Sequence, residues 1–450
     1  MSNADDRFIA MNWTSVISNA IKAADGTRPV VSGMHSLSAD DAGPSWSIQG
    51  QAEFTDILTT HPYPFWVEHT KKDGIASYRT SMHATCETKL YGDIGGKPCL
   101  VEEIGTMGPM LCSDEAAGDF LRCNLFSNYA NGAAGVMWWC ANEQTNLKTI
   151  PYTWNMCEVE LGMIDAERNP KPVLKEMKKF ADFILKLDFK LPKIKEEAVC
   201  ILTKSQPQWG VGYMSYCLAK QNDISLRFAY CDQKIPESDV YMMPSICMHE
   251  IMPDETYEYI KSRVYDNGAT LYISNNDGIL SGFKELTGLK VNDSSLPDIK
   301  SGFIALEGEE ISFTRSRKYD LTAENAQVIA YDDKGNPAMT KNRFGKGTVF
   351  YVNFPLEEML IEESEAFDTN RYKIYSKIFE NVLSKRKIIS ENKYISVTEH
   401  DDGKNTYCVA INYSAEKQNS EFRIKEGSIG KVYYGNPYSI EPFDAAVFLL

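Results

Sequence analysis

No apolar run in this chain is long enough to cross a bilayer. The amino terminus, Met1-Ser-Asn-Ala-Asp-Asp6, has neither the basic start nor the apolar centre of a secretory signal. Basic charge is also in short supply: 47 Lys and Arg against 62 Asp and Glu leave a net charge of -15. Nucleic acid and anionic membranes both call for basic surface, so neither is expected as a partner. Eleven cysteines are an odd number and contain no CxxC pair. Most sit in apolar segments (Cys99, Cys140, Cys200, Cys408), where cysteine behaves as a small hydrophobe. A reducing, cytoplasmic location is the expectation, provided Met1 is the natural start. There is no phosphate-cradling glycine loop, no Ser-His-Asp order, no internal repeat and no low-complexity tract. His83 and Cys86 share a helical spacing but have no further ligands near them in sequence, so no metal and no cofactor is expected.

What remains is an ordinary globular composition, 43% hydrophobic and 24% charged, over 450 residues. That length predicts two or three domains, each with its own core. The most informative segment is Lys97-Pro-Cys-Leu-Val-Glu-Glu-Ile-Gly-Thr106. A short apolar run after a proline reads as a buried parallel strand, and its carboxyl end carries two carboxylates and a glycine. In α/β folds that end faces the mouth where the chemistry is placed. Around it, helix and strand alternate. Apolar residues at 13, 16, 17, 20, 21 and 24 predict a helix, followed by strands at 28–33 and 56–60 and by His61-Pro-Tyr-Pro64. A weaker helix covers 75–91. Ser113 or Asp114 caps another that runs to Ala130 and stops at Asn131-Gly132. The strand 133–139 ends in Trp138-Trp139, and a last helix starts at Pro172. Four strands in such an alternation make half of an eight-stranded barrel.

A charged linker, Lys190 to Glu197, separates this region from a second α/β pattern with strands at 198–203, 240–243 and 269–274. Strands at 327–331 and 348–353 read as an antiparallel pair joined around Gly345-Lys-Gly347, and a helix at 372–383 closes the domain. From Ile388 onward, short alternating strands with turn signals such as Asp401-Asp-Gly403 predict a small β-sandwich that ends in 444–450. The expected domains are therefore 1–190, 195–388 and 389–450.

Four segments of the first region together resemble the second half of the catalytic barrel of clan A glycoside hydrolases, which include the cellulase/β-mannanase family and the β-galactosidases. Glu103-Ile-Gly105, entered from Lys97-Pro98, resembles the clan's nucleophile at the end of strand seven. His61-Pro-Tyr63 resembles the His-x-Tyr that ends strand six. Trp138-Trp139 resembles the tryptophan platform after strand eight. Glu160-Leu-Gly-Met-Ile-Asp165 through Pro172 resembles the lead-in to the last barrel helix. Residues 195–388 resemble the amidotransferase-like, flavodoxin-type domain that forms trimers in many β-galactosidases, through Asp239-Val-Tyr-Met-Met-Pro244 and Gly345-Lys-Gly347 to Glu357. No amidotransferase nucleophile turn is present there. The resemblance implies a retaining glycosidase acting on β-mannosides, β-galactosides or β-glucosides, with a carbohydrate substrate and a homo-oligomeric state.

A retaining glycosidase needs two carboxyl groups about 5 Å apart, one as nucleophile and one as acid/base. The resemblance makes Glu103 the nucleophile. Strand alternation sends Glu102 to the opposite face, as the alternative nucleophile or as a partner for a Lys or Arg among the helices. Tyr63 would orient Glu103, or else be a buried tyrosine with one satisfied hydroxyl. His61 would contact a sugar hydroxyl or serve structure. Of Trp138 and Trp139, one alone can face the mouth, and the later is favoured as the sugar platform, with core packing as the alternative. Asn142-Glu143 has the form of the clan's acid/base, but follows the wrong strand. Glu143 is therefore a candidate substrate contact, or a solvated loop residue. The helix at 13–24 takes the place of the one after the clan's fourth strand, so the acid/base is expected before Met1. The competing reading is a noncatalytic carbohydrate-binding or scaffold protein on a degenerate barrel.

Overall fold

Three short parallel strands hold the first part of the molecule together. The computed structural model describes residues 4–31, 33, 46–64 and 73–450. The chain forms two units: Met1–Lys195 with Lys387–Leu450, and Glu196–Arg386. In the first, α1 (Ala4–Ala24) and α2 (Ile48–Phe54) precede β1 (Leu58–Thr60). Then follow α3 (Tyr78–Gly95), β2 (Cys99–Ile104), α4 (Asp114–Ala130), β3 (Val136–Trp138) and α5 (Pro172–Lys186). The sheet order is β1-β2-β3, all parallel, and Val31 adds a parallel bridge to Ile57 on the β1 side. That bridge is what the structure describes of the strand expected at 28–33, since residue 32 lies outside the described residues.

Local signals set the helix ends. Ser77 and Ser113 cap α3 and α4, their hydroxyls accepting from the amides of Thr80 and Ala116. Gly96, in the left-handed region at φ 64°, ends α3. One core cluster, including Val101, Ile104, Phe120, Leu121, Trp138 and Val173, fills the space between the sheet and helices α3 to α5.

The helix expected at 13–24 is present as α1, but the large apolar residues Phe8, Ile9, Trp13, Val16, Ile17 and Ile21 are all exposed. The buried face is the small one, Ala10, Thr14 and Ser18, and Gln51 of α2 donates to the Thr14 hydroxyl at 2.9 Å. Small side chains let α2 approach closely, which turns the large apolar residues outward.

The strands from Ile388 onward, expected as a third domain, pack into this first unit. Their main sheet is antiparallel and joins 395–401, 406–412, 445–449 and 432–434 in that order. Arg122 of α4 donates to the carbonyls of Pro442 at 2.8 Å and Phe443 at 3.2 Å, and Phe126 packs on Tyr434 with ring centres 4.5 Å apart. Carbonyls facing a helix across such a gap need a donor, and α4 supplies it.

The second unit is a seven-stranded sheet whose parallel part is doubly wound. It contains β4 (Ala198–Leu202), α6 (Gln208–Lys220), β5 (Leu226–Tyr230), β6 (Val240–Ile246), α7 (Asp254–Asn267) and β7 (Thr270–Asn275). Two antiparallel pairs, β8 (Leu289–Ser295) with β11 (Lys318–Ala323) and the hairpin β9 (Ser301–Leu306) with β10 (Glu309–Thr314), precede β12 (Gln327–Tyr331), β13 (Pro337–Phe344) and β14 (Gly347–Val352). The order is β12-β13-β14-β7-β6-β4-β5, a flavodoxin-type arrangement extended by an antiparallel hairpin. The partner of β14 across Gly345 is β13, a strand absent from the sequence reading. The strand expected at 327–331 pairs with β13 and not with β14. Beneath the sheet, the fully buried Glu357 accepts hydrogen bonds from Tyr272 at 2.7 Å, Tyr375 at 2.8 Å and Ser245 at 2.9 Å. Satisfied in this way, the carboxylate serves as a structural knot.

Arg122→Met is expected to destabilise the first unit by about 2–4 kcal/mol, since two buried carbonyls lose a charged donor. Urea unfolding followed by fluorescence measures this, and a change below about 0.5 kcal/mol, as at an ordinary surface site, would contradict the assigned role.

Candidate active site

The register between β1 and β2 determines which side chains meet. Thr60 pairs with Val101, so the next residues of β1's chain run beside the glutamates that end β2. Between β2 and β3 the register slips: Val101 pairs with Val136, but Ile104 pairs with Trp138, three steps against two. The extra residue is a β-bulge. Its consequence can be read from burial, because Val101 and Ile104, three apart, lie in the same core cluster against the helices. Strict alternation would place them on opposite faces. With both turned inward, Glu102 and Glu103 are both released to the other face, half-buried.

Glu103 accepts a hydrogen bond from the Tyr63 hydroxyl at 2.9 Å, on Oε2. Burial, with Glu103 alongside, raises the pKa of the Tyr63 phenol far above its ordinary value, so it stays a neutral donor. Glu102, expected among the helices beside a basic residue, instead bonds His61, with Nε2 and Oε2 3.0 Å apart. Nδ1 of the same ring lies 3.6 Å from Oε2 of Glu103. One imidazole thus stands between two carboxylates. The bulge, invisible to a period-two reading, is why the sequence missed this.

Gly105 shows why the segment ends in glycine. A Cβ there would stand 3.2 Å from the Trp139 carbonyl and 3.3 Å from the Tyr63 ring, tighter than most real contacts. The Trp139 amide donates to the Ile104 carbonyl at 2.9 Å, which ties the ends of β2 and β3 together at the same level.

The two tryptophans separate cleanly. Trp138 lies in the core cluster and its indole Nε1 donates to the Leu161 carbonyl at 3.1 Å, so it packs as a core residue. Trp139, next along, turns to the other face and is 42% exposed. Glu143 is neither a solvated loop residue nor a free carboxylate. It binds Lys171 Nζ at 2.8 Å, and Lys171 also reaches Asp114 at 2.9 Å. Burial works against the Lys171 charge, but the hydrogen bonds to Glu143 and Asp114 outweigh it and hold its pKa above the usual lysine value. This cluster sits where the chain leaving β3 pairs with the Glu160–Asp165 stretch, through the Glu143 amide to the Ile164 carbonyl at 2.9 Å. Glu143 is thus a clamp on that pairing. Below the site, buried His83 faces the Pro62 carbonyl at 3.3 Å and Glu87 at 3.5 Å. Among the described residues no group of three or more His, Cys, Asp or Glu is arranged to hold a metal ion, and no helix is long and apolar enough to cross a membrane.

Parallel strands deliver a carboxylate, its tyrosine donor and an exposed tryptophan at their carboxyl ends, an α/β arrangement similar in fold to TIM-barrel glycosidases. Known structures agree with this at the level of fold. The chain is similar to an exo-β-1,4-mannosidase from Opitutaceae bacterium strain TAV5, with TM-score 0.67 and 18% identity over 82% of this chain and 69% of that one. It is similar to a cold-adapted β-galactosidase from Rahnella sp. R3, with TM-score 0.74 and 16% identity over 99% and 67%. An α-L-fucosidase isoenzyme from Paenibacillus thiaminolyticus matches with TM-score 0.64 and 10% identity over 98% and 69%. The mannosidase and the galactosidase share this fold, and the chain spans about two thirds of their length. No protein-family model matches the sequence, and neither does any curated protein.

The two tryptophans predict opposite phenotypes. Trp138→Ala should cost about 3–5 kcal/mol of stability, and Trp139→Ala should stay within about 0.5 kcal/mol of the parent. Thermal and urea unfolding of both variants decides this; equal losses would contradict the assigned orientations.

Proposed function

We propose that the first unit is the nucleophile-bearing half of a retaining β-glycosidase barrel, acting on β-mannosides, β-galactosides or β-glucosides. The observation that carries this is the hydrogen bond from Tyr63 to Glu103 at the carboxyl ends of adjacent parallel strands. Tyr63 holds one oxygen of the carboxylate, which leaves the other to attack an anomeric carbon. A glycosyl ester to Glu103 forms as the aglycone departs, and water then hydrolyses it. Trp139 would offer its ring to the sugar's C–H face, and His61 would stand between the nucleophile and a sugar hydroxyl.

The acid that protonates the leaving group is assigned to polypeptide outside these 450 residues. Glu143 is tied to Lys171, and Glu102 to His61. The sheet supports a missing half: among the described residues β3 has one strand neighbour, and the Met137 side chain on its far face is exposed. The outward apolar stripe of α1 supports it as well. An exposed face with six large apolar residues on one helix calls for a cover, and further βα units of the same barrel would provide one. The second unit is assigned to self-association, and light scattering should find multimers; monomer at every concentration would contradict that role.

A 2-deoxy-2-fluoro-β-glycosyl fluoride tests the nucleophile. Its fluoride leaves without acid help as the C1–O bond to Glu103 forms, so purified chain should gain one glycosyl mass on the peptide containing Glu103. Glu103→Gln should gain none. Because a positioned acid is worth roughly a hundred- to ten-thousand-fold in rate, the same chain should not turn over a natural β-glycan. Labelling elsewhere would remove Glu103, and sugar binding without labelling would favour the noncatalytic reading.

A further inference from the structure

We propose that Glu102 is a positioning residue: it holds the His61 imidazole with Nε2 protonated and turns Nδ1 toward Glu103. The geometry stands on its own, and the catalytic consequence rests on the glycosidase reading above. Three features converge on Glu102. The bulge in β2 brings its side chain to the face of Glu103, where alternation would have sent it among the helices. Its Oε2 then lies 3.0 Å from His61 Nε2, and an ionised carboxylate is an acceptor only, so the proton belongs to Nε2. Third, residue 33 is a glycine, and a Cβ there would stand 3.1 Å from the same Oε2 and 3.7 Å from two atoms of the imidazole. A side chain there would crowd the Glu102 carboxylate and meet the ring in ordinary contact.

With Nε2 committed, the ring has one free nitrogen, and it faces Glu103. The 3.6 Å separation of Nδ1 from Oε2 is a polar contact and not a hydrogen bond. Nδ1 then carries a lone pair and cannot donate to the carboxylate, so it is Tyr63 that bonds Oε2 of Glu103, and among the described residues no hydrogen bond reaches Oε1. That asymmetry selects Oε1 as the attacking oxygen. A half-buried carboxylate that need not touch the substrate thus sets the tautomer and orientation of the imidazole beside the nucleophile.

The test uses the full chain with 15N-labelled histidine. Six histidines give few signals, and His61→Asn assigns the one in question. At pH 8 the wild type should show His61 as the Nε2–H tautomer, with two distinct nitrogen shifts. Glu102→Gln keeps an amide oxygen as acceptor and should preserve that pattern. Glu102→Ala should give averaged nitrogens, because a released imidazole exchanges between tautomers. On a dinitrophenyl β-glycoside, Glu102→Ala should lose roughly 10- to 100-fold in kcat with KM little changed, and Glu102→Gln should recover most of it. Thermal unfolding of each variant reports whether it is folded. A wild-type Nδ1–H tautomer, or an unaltered His61 spectrum in Glu102→Ala, would overturn the proposal. If no variant, wild type included, cleaves the aryl glycoside, the glycosidase reading falls while the spectra still decide the role of Glu102.

Discussion

One extra residue in β2 governs the site. A regular strand would present Glu103 and bury or discard Glu102; the slip between Val101 and Ile104 presents both. The hydrophobic effect enforces the slip, since Val101 and Ile104 are both fully buried against the same helices. Shifting either toward solvent would forfeit about 1.5–3 kcal/mol of burial. The polar side chains between them have one direction left, toward His61 and Tyr63. Core packing on one face thus dictates the electrostatics of the other.

The same logic runs through the neighbouring strand. Val136 and Trp138 face the helices, so Met137 and Trp139 face away, and the chain leaving β3 is clamped to the Glu160–Asp165 stretch through Glu143 and Lys171. Strand ends in this fold are fixed by backbone pairing, and functional side chains are carried on residues just past the last pair. His61, Gly105 and Trp139 all occupy such positions.

Much of this was legible in the sequence, and the reasons for what was not are physical. The Ser113 cap, the Asn131-Gly132 stop and the start at Pro172 all agree with the structure, because caps are local chemistry. Alternation anticipated that Trp138 and Trp139 would part. It failed at Glu102, because a bulge leaves no mark in a period-two pattern. For α1 the pattern gave the helix but not its buried face: the stripe at 13, 16, 17 and 21 is genuinely apolar, but small residues at 10, 14 and 18 pack closer to α2. Hydrophobicity says that a face wants cover, and close approach decides which face gets it first. Strand β13 escaped notice because Pro337–Phe344 carries Lys341 and Arg343 at outward positions and a polar Asn342 at a buried one.

On the proposed reading, the chain holds a nucleophile that is ready to be glycosylated and lacks the acid that completes turnover. External azide tests this most directly. When a retaining site has no acid/base, a small anion that needs no deprotonation can take the place of water and attack the glycosyl ester. With dinitrophenyl β-mannoside or β-galactoside, azide should accelerate release of the phenol, and NMR should identify the product as the β-glycosyl azide. Hydrolysis that ignores azide, an α-glycosyl azide, or no reaction at all on either substrate would contradict the account.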